Sequence, residues 1–530
     1  MAGEIVCDVF IAGGGLGGCA AALAAARCGL RVVMSEETEW IGGQLTSQAT
    51  PPDEHPWIEQ FGCTRSYRQL RCHIRDYYRE RCPITEEAGA RLHLNPGNGL
   101  VSRLCCEPRA ALFALQSMLA PFVDTKMLTI LTRHRLEAGM ADQDRVQAAR
   151  LQNQENGADL IVSARYFLDA TETGDLLSLT GTEYVVGSEG GTGEPHGSPV
   201  SLPENQQAFT FCFAMEHLPG ENHIIDKPAG YSWWRDYVPN VTPPWPGTLL
   251  SLTGTNPITL QARRYLFDPE GEPTGGQFGL WRYRRILDRS NFRDGAYPGD
   301  ISLVNWPMND YMIGPIIDVS AEQATARLSH ARDLSLSLLY WLQTEAPRPD
   351  GGVGWPGLRL RADVMGSEDG LALAPYIRES RRIRAEFTVL EQHVAASGKT
   401  DSPIEPARFP DSVGIGSYRI DLHPSAGGDN YIDVASRPFE IPLGALIPIR
   451  TENLMPAAKN LGVTHITNGC FRLHPVEWNV GEAAGLLAAY CLSREAVPRM
   501  VRRNASHLEA YRNLLVEHGV ELSWPSPLTP

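Results

Sequence analysis

Several things are missing from this chain, and each absence closes off a class of function. No apolar run reaches the ~18 residues that a membrane span needs; the alanine-rich stretch 19–27 is far shorter. The N-terminus shows no basic segment followed by an apolar core and a cleavage site, so no signal peptide is read and a reducing, cytoplasmic setting is expected. Positive charge is in deficit: the formal net charge is −15, which argues against nucleic acid, whose phosphates require clustered Lys and Arg. The eleven cysteines contain no C-x-x-C pair and no zinc spacing, so no metal site is expected. Cys105 and Cys106 are adjacent and read as two buried thiols rather than a strained disulfide. Internal repeats and low-complexity tracts are also absent. What remains is an ordinary soluble composition, 43% apolar and 21% charged, on 530 residues, more than one typical domain.

The informative segment is Val9 to Gly18. An apolar run leads directly into Gly13-x-Gly15-x-x-Gly18, with Leu16 and Gly17 between, and an alanine-rich helical pattern follows to Cys28. Gly29 ends that pattern, and Arg31 to Ser35 reads as a second strand closing on Glu36. This strand–turn–helix–strand–acid order is the layout of a dinucleotide-binding unit. Gly13 makes the turn, Gly15 lets the backbone approach a pyrophosphate, and Gly18 lets helix and strand pack closely. The helix N-terminus offers free N–H groups to phosphate, and Glu36 can accept hydrogen bonds from a ribose.

Further segments carry a family resemblance. Gly42-Gly43-Gln44, with Thr46 and Ser47 behind, resembles the second FAD fingerprint of glutathione-reductase-like flavoproteins. Phe167 to Asp175, with Asp169 at its centre, looks like the motif that returns to the FAD domain, although Glu172 stands where that motif has Gly. Arg472 to Gly485, containing Gly481 and Glu482, resembles the closing motif in which a helix N-terminus faces the flavin. The chain thus resembles the FAD-dependent oxidoreductases with a glutathione-reductase-type FAD domain, from about residue 5 to residue 495. That resemblance implies FAD as cofactor, redox chemistry on a small-molecule substrate, and an α/β fold. The fold would be a discontinuous Rossmann-type FAD-binding domain with an α+β substrate domain inserted in the middle. On this reading residues 1–203 and 451–530 belong to the first and 204–450 to the second. Nothing in the sequence sets the oligomeric state, and a homo-oligomer is compatible with it.

Along the chain, residues 51–68 read as a loop over the flavin, and 69–83 and 107–121 as helices. Thr125–Asn153 reads as a β-meander, Ala208–Ala214 as a strand, and Ala321–Thr344 and Arg378–Ala396 as long helices. Residues 496–530 read as a helix and a Pro-rich tail. No C-x4-C dithiol follows the Gly-Gly loop, which argues against a disulfide reductase. No second strand-linked GxGxxG occurs, which argues against a built-in NAD(P)H domain.

Oxidising a C–H bond beside OH or NH needs a base near the proton. Three histidines are candidates. His474 opens the closing motif, as a base or as a cap on backbone groups. His423 shares a strand face with Asp421, or else lies on a solvated face. His55 lies just after the Gly-Gly motif, as a base, a loop histidine, or a covalent attachment point for flavin. Arg378 and Arg381, one helical turn apart on the expected helix, can clamp an anionic substrate or reduced flavin, or pair with Glu379 and Glu386. The expected reaction is hydride removal from a polar metabolite, by alcohol or amine oxidation or desaturation, with electrons passing to oxygen or a carrier. A monooxygenase reduced from outside and a non-redox flavin-binding protein remain open alternatives.

Overall fold

A computed structural model describes residues 3–271, 278–396, 404–525 and 528. Its main sheet begins with β1 (Gly3–Ala12), whose last four residues are apolar and buried. The chain turns through the glycines into α1 (Leu16–Arg27), buried along nearly its whole length. β2 (Val32–Ser35) then pairs parallel with β1, Val9 opposite Val32. α2 (Arg65–Arg81) and a second helix, Pro108–Asp124, lead to β3 (Leu128–Leu131). β3 lies parallel to β2. β4 (His134–Asp142) and β5 (Arg145–Asn153) form an antiparallel hairpin, and β6 (Asp159–Asp169) returns beside β1. The order is β3-β2-β1-β6-β5-β4.

β6 is long enough to serve two neighbours on one edge. Its first half pairs antiparallel with β5, Asp159 to Ser163. Its last three residues pair parallel with the strand Leu454–Pro456, Asp169 opposite Pro456. The C-terminal part of the chain thereby joins the N-terminal sheet. The helix that follows, His474–Arg494, crosses α1 at very close range. A Cβ on Gly481 would stand 2.0 Å from the carbonyl oxygen of Gly17, and one on Gly485 would stand 2.5 Å from that of Ala21. Only glycine lets the two backbones meet there.

The intervening chain builds smaller sheets. One is four-stranded and has Phe213–His217 at its centre, between Ile301–Val304 and Leu358–Leu360. The capped helix Ala321–Thr344 packs there, and tryptophans 234, 245, 281, 306, 341 and 355 fill a second apolar core. The fold is thus mixed α/β, with a Rossmann-like parallel sheet and additional sheets.

Four expectations need correction. Thr125–Asn153 is not one meander: its first strand belongs to the parallel sheet, because a helix rather than a hairpin turn delivers it. Arg378–Ala396 is not a helix. It contains the two-residue strand Arg382–Ile383 and a single helical turn, Glu391–Val394. Arg378, Glu379 and Arg382 are drawn into buried ion pairs with distant residues, which a solvated helix surface would not allow. The strand expected at Ala208–Ala214 starts later, at Phe213, because Phe209 and Thr210 make only isolated bridges to Tyr311 and Tyr376. Past residue 496 there are two helices, Pro498–Arg503 and Ala505–His518, rather than one. Cys105 and Cys106 are free thiols. Among the described residues no helix is long and apolar enough to cross a membrane.

Candidate active site

The glycine turn is shaped by two kinds of neighbour. At Gly13, Gly17 and Gly18 a Cβ would run into backbone: Ala170 O at 2.4 Å, Ala457 O at 1.9 Å and Gly13 O at 2.2 Å. Gly15 differs. It has ordinary backbone angles, and a Cβ there would meet Glu172 Oε1 at 3.0 Å, Ala170 O at 3.3 Å and Glu477 Oε1 at 3.7 Å. Two of those three atoms are ends of flexible side chains. Leu16 is buried at the start of α1, and the Gly17 N–H beside it donates to Glu477 Oε1 at 3.2 Å.

Glu36 closes β2, as the sequence requires of a ribose acid. Its carboxylate accepts from Gly14 N–H at 3.0 Å and from the N–H and hydroxyl of Thr38 at 2.9 and 2.8 Å. Burial outweighs these bonds and pushes its pKa up to about 7. Gly42 and Gly43 both have positive φ, +111° and +50°, which brings this loop against the first: a Cβ on Gly43 would stand 2.9 Å from the Gly15 Cα. Gln44 donates to the carbonyl of Arg472 at 3.0 Å and to Glu477. Asp169 points back into its own turn, accepting from the N–H and hydroxyl of Thr171 and from Leu177 N–H. Glu482 turns away from the loop and accepts from the Ser66 hydroxyl at 2.5 Å.

These residues fit a dinucleotide. Buried polar atoms along the loop have no partner among the described residues: both amide atoms of Gln48, Gln44 Oε1 and Glu172 Oε1. Leaving such groups unmatched costs about 1–3 kcal/mol each, and a polar ligand lying there would satisfy them. One feature departs from the usual pattern. Two carboxylates, Glu172 and Glu477, face the stretch where a pyrophosphate would lie. The buried Lys459 ion-pairs with Glu172, and burial raises Glu477 to about 7.

In front of the closing helix lies a cavity of about 210 Å³. Asp53 and Arg472 form the wall nearest that helix: Asp53 N–H donates to His474 Nδ1 at 3.2 Å, and Arg472 is two residues before it. The opposite wall comes from the middle of the chain and is rich in tyrosine and arginine. His423 lies on this wall, just past the strand Ile420–Leu422. Its Nδ1 lies 2.5 Å from Asp310 Oδ2, whereas its Nε2 is 3.9 Å from Asp421. The acid that orients His423 is therefore Asp310, and not the in-register Asp421.

Asp310 is fully buried. Burial alone would raise its pKa, but Arg378 at 2.9 Å and His423 outweigh it and hold it below the usual carboxylate range. The Thr210 hydroxyl adds a hydrogen bond at 2.5 Å. Arg378 also donates to Ala208 O and Asn305. An ionised Asp310 accepts the Nδ1–H of His423, and in the tautomer with its proton on Nδ1 the Nε2 lone pair is free to act as a base.

The other sequence candidates sit differently. His474 has both ring nitrogens engaged by backbone, Nδ1 by Asp53 N–H and Nε2 by the Thr50 carbonyl at 3.1 Å. Burial drives its pKa down to about 4. It holds the 50–53 loop against the closing helix. His55 is buried among Trp57 and Trp524, with Nε2 on the Gly62 carbonyl and Nδ1 unpartnered. Burial lowers its pKa too. It does not line the cavity. Arg381 pairs with Asp175 and Asp318 and is not brought together with Arg378. Sequence reasoning missed Asp310, Arg284, Lys459 and Glu477. Asp310 lies 113 positions from His423 in the chain, and nothing local links the two.

The parallel sheet, glycine turn and acid at β2 define a Rossmann-type dinucleotide-binding protein. The chain belongs to the FAD dependent oxidoreductase family, whose profile matches residues 8–514, and FAD is its cofactor. A search of curated proteins finds no match. Likeness to solved structures is faint. A geranylgeranyl bacteriochlorophyll reductase-like protein of Thermoplasma acidophilum is 11% identical, over 98% of this chain and 85% of that one, with a TM-score of 0.34. The rebeccamycin biosynthetic enzyme RebC with reduced flavin is 17% identical over 40% of this chain and 39% of that one, TM-score 0.23. The L-proline dehydrogenase of P. horikoshii is 13% identical over 35% of this chain, TM-score 0.18. The chain spans only 24% of that dehydrogenase's length.

Proposed function

We propose that this FAD-dependent oxidoreductase oxidises a small polar substrate held in the cavity before the closing helix, with His423 as the base. The observation that carries this reading is the buried chain Arg378–Asp310–His423, which ends on a ring nitrogen without a hydrogen-bond partner among the described residues. Gly15, the start of α1, Glu36, Gly42 and Gly43 would hold the dinucleotide. Residues 204–450 supply most of the cavity and act as the substrate-binding part of the chain. FAD, when bound, supplies a two-electron acceptor. Nε2 of His423 takes the proton of the substrate O–H or N–H, and Asp310 stabilises the imidazolium that results. Arg378 keeps Asp310 ionised throughout. Electrons then leave to oxygen or a carrier.

The test begins with an anaerobic screen of hydroxy and amino compounds, watching flavin absorbance. A compound that bleaches the flavin is then used in stopped-flow reduction at saturation. His423→Ala should keep its FAD and slow reduction by at least ~100-fold, within the range for loss of a general base. His474→Ala and His55→Ala should have much smaller effects. Wild-type reduction rates in His423→Ala, or bleaching by NAD(P)H alone, would reject the proposal.

A further inference from the structure

The cavity contains more positive charge than its carboxylates neutralise. Arg419 is paired with Asp433, and Arg378 with Asp310. Arg472 reaches the Asp421 carbonyl at 3.0 Å, its carboxylate at 3.4 Å, and the Tyr376 hydroxyl at 3.1 Å. Arg284 has much less. Among the described residues its single carboxylate contact is Nη2 to Asp53 at 3.5 Å, at the outer limit of a hydrogen bond. Its Nε and Nη1 are buried with no partner among the described residues, and the side chain is only 10% exposed. Beyond it Arg263 lies over the rings of Tyr265 and Phe278 and faces no carboxylate among the described residues.

A buried guanidinium with idle donors is costly, because hydrogen bonds to charged groups are the strong ones and their loss is not compensated by water. The surplus amounts to about one positive charge: five arginines, 263, 284, 378, 419 and 472, face four aspartates, 53, 310, 421 and 433. The same wall is aromatic around Arg284, whose guanidinium sits 5.1 Å from the Tyr283 ring centroid. Such a site suits one negative charge on an organic body. A dianionic phosphate would overcompensate it.

We propose that Arg284 is the anchor for the carboxylate of a small organic monocarboxylate substrate, with Arg263 supplying long-range attraction from the cavity rim. The assignment rests on the reading of this cavity as the substrate site. It names the substrate class: monocarboxylates carrying the oxidisable OH or NH group elsewhere on the molecule. Arg284 is a binding residue and takes no proton, since a guanidinium stays charged at all working pH values.

The experiment is calorimetry on the full-length, FAD-loaded protein with benzoate, its uncharged counterpart benzamide, and inorganic phosphate. Benzoate should bind saturably, with benzamide and phosphate each at least tenfold weaker. Arg284→Gln should weaken benzoate at least tenfold while FAD content and FAD affinity stay at wild-type values. If Arg284→Gln does not fold, Arg284→Lys keeps the charge, and the wild-type ligand comparison decides by itself. Benzamide binding as tightly as benzoate, phosphate binding more tightly, or no benzoate binding would each overturn the proposal. So would an Arg284→Gln protein that loses FAD, because the arginine would then serve the cofactor. Binding needs no turnover, so this test separates from that of the redox reading. His423→Ala should still bind benzoate. Benzoate binding in a protein that no compound bleaches would leave the anion site standing and sink the oxidation.

Discussion

A glycine can be required in this loop for two different reasons, and one methyl group tells them apart. At Gly17 a Cβ would stand 1.9 Å from the Ala457 carbonyl oxygen, a backbone atom just past the strand Leu454–Pro456. At Gly15 the nearest atom is the far end of Glu172, 3.0 Å away, which can rotate. Helix propensity alone would favour alanine over glycine by up to ~1 kcal/mol. At Gly17 steric overlap outweighs that gain, and Gly17→Ala should lose about 3 kcal/mol or more, the upper range for overpacking. Gly15→Ala should instead fold with a near-wild-type melting temperature but fail to retain FAD, because its methyl group occupies the face that the pyrophosphate needs. Thermal melting by circular dichroism and flavin absorbance on the same samples check both. A flavin-loaded Gly15→Ala protein would show that this face is not the cofactor's.

At the scale of elements, the closing helix approaches α1 with its own carboxylate forward. Glu477 accepts the Gly17 N–H that a phosphate would otherwise take, and burial places its pKa at about 7. Ionised, it opposes a dinucleotide anion; protonated, it does not. FAD affinity should therefore fall as pH rises through about 7, by up to roughly tenfold per pH unit for one linked proton. Glu477→Gln should bind FAD tightly with a flat profile between pH 6 and 8.5, measured by quenching of FAD fluorescence. A variant with the wild-type slope would assign the proton to another group. The elements that carry this site were legible in the sequence where the information is local. The glycine turn, Glu36, the Gly42–Gly43 pair and the closing motif each sit within a few residues of the backbone feature they build. The misreadings are non-local. Arg378–Ala396 carries helix-like charge spacing, but its Arg378, Glu379 and Arg382 pair with Asp310, His465 and Glu189. His423 had an aspartate at i−2, yet its partner is Asp310, 113 positions away. Periodicity reports which face a residue occupies; it does not report which distant carboxylate that face will meet.

Across the whole molecule, the buried ionisable groups give the FAD-free protein a definite pH response above pH 6.5. Glu36, Asp169 and Glu477 have folded pKa values pushed by burial up to about 7, above the usual carboxylate range that holds in the unfolded chain. Between those values the folded state binds more protons, so each group's contribution to stability is full at low pH and is lost as pH rises through about 7. His465 acts in the same direction. Burial alone would lower its pKa, but Glu379, 3.0 Å away, outweighs it and raises it, so its stabilising charge also disappears on the alkaline side. The buried thiols of Cys19, Cys105 and Cys470 are raised as well, so the unfolded chain releases their protons first. Histidines held neutral by burial, His474 above all, push the other way, an effect that fades as pH rises past their ordinary value near 6.5. Carboxylates held low by arginine or histidine, Glu59 and Glu379 at about 2, change stability only in acid. From pH 6.5 to 8 the carboxylate and thiol terms therefore share one sign and outweigh what remains of the opposing histidine term. The three raised carboxylates and Glu107, which burial also raises to about 7, amount to a loss on the order of 3 kcal/mol over that window. Urea unfolding of FAD-free protein at pH 6.5, 7.25 and 8 should show a falling midpoint at constant slope. His465→Asn, less stable than wild type at pH 6.5, should show a gap that narrows as pH rises. A midpoint that rises over this range would mean that these carboxylates are ionised in the folded protein, and that Lys459 and the loop N–H groups compensate them more strongly than burial opposes.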